Sequence, residues 1–222
     1  MDQTPLESIA TRAEKVADQI RQAIRVGAYV SGQRLLELTL ARRLKVSQNT
    51  IRDALRLLEG EGWVVKRARH GVYVRSFTRS EAQEIYALWQ VIEGLALKWV
   101  MSSATKKDIA QLRRVMQAAR RDMLAGELEE STEVIFKFHR LIAELCGKPQ
   151  TAELLANLHN RVHLLEMFRQ MRAPRSLHAH EARLLLYEKL LTLIEFSHFS
   201  DAEALLAYLI QSDCDTLLPL LD

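Results

Sequence analysis

Apolar residues recur along the chain at helical spacing, and the rhythm changes character once. In the first stretch Ile9, Ala13, Val16, Ala17, Ile20, Ala23 and Ile24 stand three and four apart, the stripe of one helix face, and Gly27 closes it. A turn, SGQR at 31–34, follows. Leu36, Leu40, Ala41 and Leu44 predict a second, short helix, which Lys45-Val46-Ser47 interrupts. Ser47 is a good N-cap, because its hydroxyl can accept from the free backbone N–H groups that open the next helix. That third helix turns Ile51, Ala54, Leu55 and Leu58 inward and ends at Gly60 or Gly62. WVVKR at 63–67 and GVYVR at 71–75 are short runs rich in β-branched and aromatic residues. With Ala68-Arg69-His70 between them they predict a two-stranded hairpin with a basic tip.

Five of the eight glycines precede residue 72; beyond it the chain reads as long amphipathic helices. This shift sets a boundary near Ser76–Ser80 and divides the chain into 1–76 and 77–222. Six helices are predicted in the second part, near 79–103, 105–125, 129–146, 150–172, 176–197 and 201–218. Gly126, Gly147-Lys148-Pro149 and Pro174 supply the breaks. The expected fold is mainly α: an N-terminal winged helix-turn-helix of three helices and a two-stranded wing, then an all-α bundle of about six helices.

Composition narrows the classes. The longest apolar runs, such as LLLYEKLLTLIEF, are broken by charge well short of the roughly 18 residues of a membrane span. The opening MDQTPLESIA lacks the basic-then-apolar layout of a secretory signal. Two distant cysteines, Cys146 and Cys214, form neither a disulfide framework nor a thiolate zinc motif. A cytoplasmic protein without a membrane partner is expected. The net charge of +3 is uneven: residues 1–76 hold 14 Lys/Arg against 8 Asp/Glu, and the remainder holds 17 against 20. A basic module on a mildly acidic body points to a polyanionic partner for the first part alone.

The helix opening at Ser47 exposes Gln48, Asn49, Arg52, Asp53 and Arg56 opposite its apolar face. An α-helix fits the major groove of double-stranded DNA. There Gln and Asn can bond two edges of adenine, and Arg can bond guanine doubly or hold a phosphate. Gln48, Asn49 and Arg52 are therefore the candidate base readers, with Ser47 and Thr50 on phosphate. Lys66, Arg67, Arg69 and His70 cluster at the hairpin tip beside Gly71, where a cationic wing can reach the adjacent groove or phosphates. Arg12, Lys15, Arg34, Arg42 and Arg43 add charge.

The stretch SGQRLLELTLARRLKVSQNTIRDALRLLEGEGWVVKRARHGVYV resembles the DNA-binding domain of the GntR superfamily. Leu35, Glu37, Leu40, Ala41, Val46, Ser47, Arg52, Leu55, Leu58, Gly62, Gly71 and Val74 fall where that family has them. The resemblance implies DNA contacts at Ser47, Gln48, Asn49, Thr50 and Arg52, with His70 and Gly71 at the wing. Gln48 departs from it, since many members carry Arg there. The full set of expected DNA-binding residues is Arg34, Arg42, Ser47, Gln48, Asn49, Thr50, Arg52, Arg56, Arg69, His70 and Gly71.

The second part is similar to the FCD-type effector domain of the FadR branch, through IYALWQVIEGLALKWV, FKFHRLIAELCG and SDAEALLAYL. The resemblance implies an all-α bundle around a cavity, in which an Asp and three His hold a divalent metal and a carboxylate effector sits on it. Here the Asp four residues before His139 is Ile135. The later His positions fall near Lys189 or Leu190 and near Ser212, and an Arg of the first helix is Trp89. One imidazole cannot hold an ion that wants three or four protein ligands. The cavity is thus expected either to take a less polar or larger ligand, apolar or an organic acid, or to be filled by side chains. Trp89, Glu93, Ile135, His139, His163 and Arg183 are the expected effector-binding residues, with no metal or other cofactor.

A divalent metal remains an alternative through His159 and His163, four apart on one face, which His178 and His180 in the loop after Pro174 can approach. No acidic partner is evident at short sequence distance. Apolar positions on the helix near 79–103 exceed what a bundle core hides, and the remainder suits dimerisation. A two-fold dimer sets two recognition helices on a pseudo-palindromic operator. The chain carries no local nucleophile–base pair or phosphate-cradling loop, so an enzyme is not expected. The expected function is a homodimeric transcription regulator, a repressor, modulated by a small-molecule effector. A ligand-independent DNA-binding protein is the alternative.

Overall fold

The computed structural model describes residues 11–221; Ile9, the first position of the leading apolar stripe, lies outside them. The chain divides into two compact units, 1–76 and 77–222.

In the first unit α1 (Arg12–Arg25) opens on a capping box: the Thr11 hydroxyl accepts from the Glu14 backbone N–H, and the Glu14 carboxylate accepts from that of Thr11. It buries Val16, Ala17, Ile20 and Ile24, mainly against the third helix. Helix α2 (Glu37–Leu44) ends at Lys45, whose left-handed φ of 53° turns the chain sharply into α3 (Gln48–Gly60). Ser47 caps α3 by accepting from the Thr50 N–H at 3.1 Å. Leu36, expected on the apolar stripe of α2, is instead its exposed N-cap.

The wing departs from the two-stranded expectation. The stretch read as a turn carries a strand, β1 (Arg34–Leu35). It pairs antiparallel with β3 (Gly71–Val74), which also pairs with β2 (Val64–Arg67), giving the order β1-β3-β2. Two residues are too few for an alternation signal, and Leu35, buried beneath the sheet, reads equally well as part of the α2 stripe.

The second unit is an all-α bundle: α4 (Arg79–Ser103), α5 (Lys106–Leu124), α6 (Leu128–Leu145), α7 (Pro149–Arg172), α8 (Leu177–Glu195) and α9 (Phe199–Leu217), closed by a short 3-10 turn. Hydroxyls at Thr78, Thr105 and Ser176 cap α4, α5 and α8. One continuous core holds Tyr86, Trp89, Leu97, Leu112, Phe138, Ile142, Tyr187 and Leu190. No described helix is long and apolar enough to cross a membrane.

Two glycines of the first unit separate backbone need from simple tolerance. Gly71 has a φ of +100°, and a Cβ there would meet the Arg34 Nε at 3.2 Å. Gly60 lies within α3 with nothing inside 4 Å of an added Cβ. Gly71→Ala is expected to destabilise the first unit by about 1–3 kcal/mol. Gly60→Ala should be neutral or stabilising by up to about 1 kcal/mol. Urea unfolding of the two variants decides; equal midpoints would refute the constraint at Gly71.

Candidate functional site

The first unit presents one polar surface built by α3 and the wing. Gln48 and Asn49 are exposed at the first turn of α3, where backbone N–H groups and the positive end of the helix dipole favour a phosphate nearby. Ser47 and Thr50 are hydrogen-bonded to each other through their hydroxyls at 2.8 Å. One turn on, the Arg52 Nε–H donates to Glu37 of α2 at 2.7 Å, which fixes the guanidinium while leaving about half of the side chain exposed. Arg56 donates to Asp53 at 3.2 Å. Arg52, Arg56 and Lys66 share a hollow of about 130 Å³ with Glu37 and Glu59, so the surface between α3 and the wing mixes both signs of charge.

At the wing tip Arg69 takes a left-handed φ of 63°, and His70 is exposed beside it. The Arg67 guanidinium lies 4.6 Å over the Tyr73 ring, and the Tyr73 hydroxyl donates to the His70 carbonyl at 3.2 Å. Strand β1 brings Arg34 across to Gly71, where the missing Cβ leaves room for its guanidinium. The glycine expected to admit DNA thus also admits a protein arginine. Arg42 stands exposed in the last turn of α2. Glu37 was legible only as a framework position; its hold on Arg52 spans 15 residues and two helices.

The second unit buries a chain of polar side chains. Glu93 of α4, fully buried, accepts from the indole N–H of Trp89, from His139 Nδ1 at 2.5 Å and from His159 Nε2 at 3.1 Å. His139 Nε2 is hydrogen-bonded to the Tyr187 hydroxyl at 2.7 Å. Arg183 donates to Tyr187 at 3.2 Å and grips Asp213 of α9 through Nε at 3.1 Å and Nη2 at 2.5 Å. Arg175 bridges Asp213 at 2.6 Å and Glu166 at 2.5 Å, and Glu166 is held bidentately by Arg169. Burial pushes Glu93 up, but the two imidazoles overcome it and hold the carboxyl down at about 2. Burial likewise opposes the charge of Asp213, and Arg183 and Arg175 reverse the effect.

Of the expected effector residues, Trp89, Glu93, His139 and Arg183 belong to this chain, and Ile135 is buried in the same core. His163 stands apart, bonded to Glu133 and edge-on to Phe136 at 4.9 Å. Several expectations change. Trp89 does not simply replace charge with apolar bulk, because its indole serves the carboxylate one turn later. Close to the positions where the family's later histidines are missing, Tyr187 of α8 reaches His139 and Asp213 of α9 joins the chain. Acidic partners for His159 and His163 do exist, at 66 and 30 residues' separation, too far apart in sequence to be seen. His178 and His180 lie on α8 rather than in a loop, and His180 bonds Ser131 at 2.8 Å.

These residues do not fit the divalent metal that the resemblance implies. Ile135 offers no donor atom, and both nitrogens of His139 are already hydrogen-bonded. Among the described residues no group of three or more His, Cys, Asp or Glu is placed to hold a metal ion. Sequence reading missed Glu166, Arg169, Arg175, Tyr187 and Asp213. The available signal was charge at inward helical positions: Glu166 and Arg169 continue the Val162–Leu165 stripe, and Asp213 continues Leu206–Ile210.

Because Glu93 is depressed in the folded state from the ordinary value of 4.5, its contribution is complete above that pH and is lost as pH falls toward about 2. The shift corresponds to roughly 3 kcal/mol. Glu93→Gln should therefore be less stable than the parent at neutral pH, with a flatter loss of stability between those two values. Acid titration of urea midpoints measures it; parallel curves would refute the assignment.

Two family models match the chain: the gntR family of bacterial regulatory proteins over residues 12–74 and the FCD domain over residues 84–212. The HTH-type transcriptional regulator YdhC of Bacillus subtilis is 29% identical over 149 residues, covering 66% of each chain. The gluconate operon transcriptional repressor of Bacillus licheniformis is 27% identical over 135 residues, 61% of this chain and 55% of its own. The match thus spans less than two thirds of either relative. The structure of Escherichia coli McbR/YncC superimposes with a TM-score of 0.81 at 19% identity, covering 96% of this chain and 99% of that one, a likeness of fold. With its helix-turn-helix, its wing and its helical second unit, the chain belongs to the gntR family of bacterial transcription regulators of the FCD type, a family of regulators rather than enzymes.

Proposed function

We propose that this protein acts in the cytoplasm as a homodimeric repressor, whose hold on a pseudo-palindromic DNA operator is modulated by a small molecule bound in the helical unit without a metal ion. The observation that carries the DNA-binding half is the presentation of Arg52. Glu37 anchors it through Nε, so its two terminal nitrogens remain for a base edge or a phosphate at the mouth of α3. Gln48 and Asn49 offer paired donors and acceptors one turn earlier, suited to adenine. Arg34, Arg42, Arg56, Arg69 and His70 supply backbone contacts around them, with Gly71 at the wing. The repressor sense rests on the likeness to the gluconate operon transcriptional repressor of Bacillus licheniformis.

Dimerisation is assigned to α4. Leu88, Val91 and Leu95 stand on one face of that helix at 46%, 70% and 45% exposure, with Ile92 and Trp99 half-buried beside them. Burying such a stripe against its two-fold mate is the simplest use of apolar surface the bundle leaves open. The effector reading rests on the polar interior, where Trp89, Glu93, His139 and Arg183 provide oriented groups, with Ile135 and His163 at the edges. Arg183 Nη1 is buried and has no hydrogen-bond partner among the described residues, a donor that an organic acid would satisfy.

In-vitro selection from random DNA supplies the operator and tests the reading. Arg52→Ala should weaken binding to the selected site by about 1–3 kcal/mol and relax preference at one position per half-site, while sedimentation still shows a dimer. Unaltered affinity and consensus would reject α3 as the reading helix. Dialysis against a chelator should leave operator affinity and its response to an effector unchanged. A response that disappears and returns with zinc or nickel would overturn the metal-free reading.

A further inference from the structure

At one end of the helical unit the α5–α6 turn, the first turn of α6, the end of α7 and the α7–α8 loop enclose an open cleft of about 470 Å³, a volume suited to a small ligand. Its charge is polarised. Arg169, Arg175 and His180 line it from the inside, and Arg169 and His180 are almost wholly buried. Glu127, Glu129 and Glu130 line it at the exposed edge, and none of their carboxylates is ion-paired among the described residues.

His180 shows what the floor asks for. The Ser131 hydroxyl donates to the Ala119 carbonyl at 2.7 Å, so it can only accept from the imidazole, and His180 Nε2 carries the proton. Nδ1 is left as an acceptor with no hydrogen bond among the described residues. Burial, then Arg183 and Arg175, lower the ring's pKa to about 4, so it is a neutral acceptor in a positive surrounding. Arg175 engages Glu166 and Asp213 through its two terminal nitrogens and retains further N–H donors.

We propose that this cleft binds a small zwitterion of the amino-acid class, its carboxylate against Arg175 and Arg169 and its ammonium toward His180 Nδ1 and the glutamate rim. A plain carboxylate suits Arg175 but gives His180 Nδ1 no donor and meets three uncompensated carboxylates at the mouth. A plain amine suits the rim and His180 but leaves the remaining N–H donors of Arg175 without an acceptor. Only a dipolar ligand matches both ends. The glutamates also complement the N-terminal dipole of α6, which accounts for their presence on the helix but not for the acceptor buried below them. The inference rests on the sensor reading of the helical unit for its biological sense, and on the cleft alone for binding.

The test is calorimetric titration of the full-length protein with the standard L-amino acids, each compared with its deaminated acid and its decarboxylated amine. At least one amino acid should bind, with both analogues about tenfold weaker or more, the loss expected for one charge-assisted contact. The exposed double substitution Glu129→Gln/Glu130→Gln, which leaves the core untouched, should weaken the amino acid by a similar factor and leave the deaminated acid unaffected or tighter. Failure of every amino acid to bind, equal binding of either analogue, or indifference to the rim substitution would each overturn the assignment. Operator release is measured separately. Binding without any change in DNA affinity would keep the cleft assignment and reject the sensor reading; release by some other metabolite, with no amino acid bound, would do the reverse.

Discussion

The helical unit depends on the pairing of Arg183 with Asp213. Both are buried, and a carboxylate in that position would be forced to neutralise without a cation against it. Arg183 meets both carboxylate oxygens, Arg175 takes a share of one, and Arg183 Nη2 also donates to the Tyr187 hydroxyl. Through Tyr187 the pairing continues to His139 on α6 and Glu93 on α4, and through Glu93 to His159 on α7. Helix α5 is tied in separately, by the Ser131 hydroxyl that links the Ala119 carbonyl to His180. Five helices therefore answer to one set of buried polar groups, and the sixth to a smaller set beside it.

Such a network adds little net stability, since desolvation of each ion offsets most of the attraction. Its effect is on uniqueness. Sliding any of these five helices by a turn would break a bond to a buried charge, and an orphaned buried ion costs several kcal/mol. The apolar core of Trp89, Leu97, Phe138 and Leu190 supplies the driving force for collapse, and it tolerates alternative packings of similar volume far better. The same reasoning explains why the interior does not suit a metal. Three guanidinium groups at Arg169, Arg175 and Arg183 already oppose the carboxylates of Glu166 and Asp213, and Glu93 is already taken by an indole and two imidazoles, so a dication would add positive charge where no carboxylate is left for it.

The first unit was largely legible in its sequence, because each of its elements is short and carries a local mark. Ser47 announces α3 by its side-chain chemistry, and the Ile51–Leu58 stripe follows at once. What escaped was β1, too brief to alternate, and the Glu37–Arg52 pair, which depends on the crossing of α2 and α3. In the second unit the six helices could be placed by periodicity and by Gly126, Gly147 and Pro174. The site was harder to see. Glu93 and Arg183 were among the expected effector-binding residues, yet His139, His159 and Asp213, which hold them, lie 46, 66 and 30 residues away on other helices. A family pattern transferred by spacing showed only that ligands are missing near Lys189 or Leu190 and near Ser212; it did not show that Tyr187 and Asp213, close by in sequence, take part. Periodicity tells which residues face inward, and only packing tells which of them touch.

The proposed sensitivity to a ligand would follow from where the network surfaces. Among the described residues Arg175 is the one guanidinium that both lines the cleft and shares Asp213 with Arg183. An anionic occupant held by the remaining N–H groups of Arg175 would sit in the field that this guanidinium shares with Glu166 and Asp213, and so would weaken its pull on Asp213 and load the grip of Arg183. A ligand shifts a conformational equilibrium only by the difference in its affinity for two states. Here that difference has a physical source, because the groups it would touch are the ones that fix helix register. A purely apolar cavity, free to repack around its contents, would offer no comparable lever.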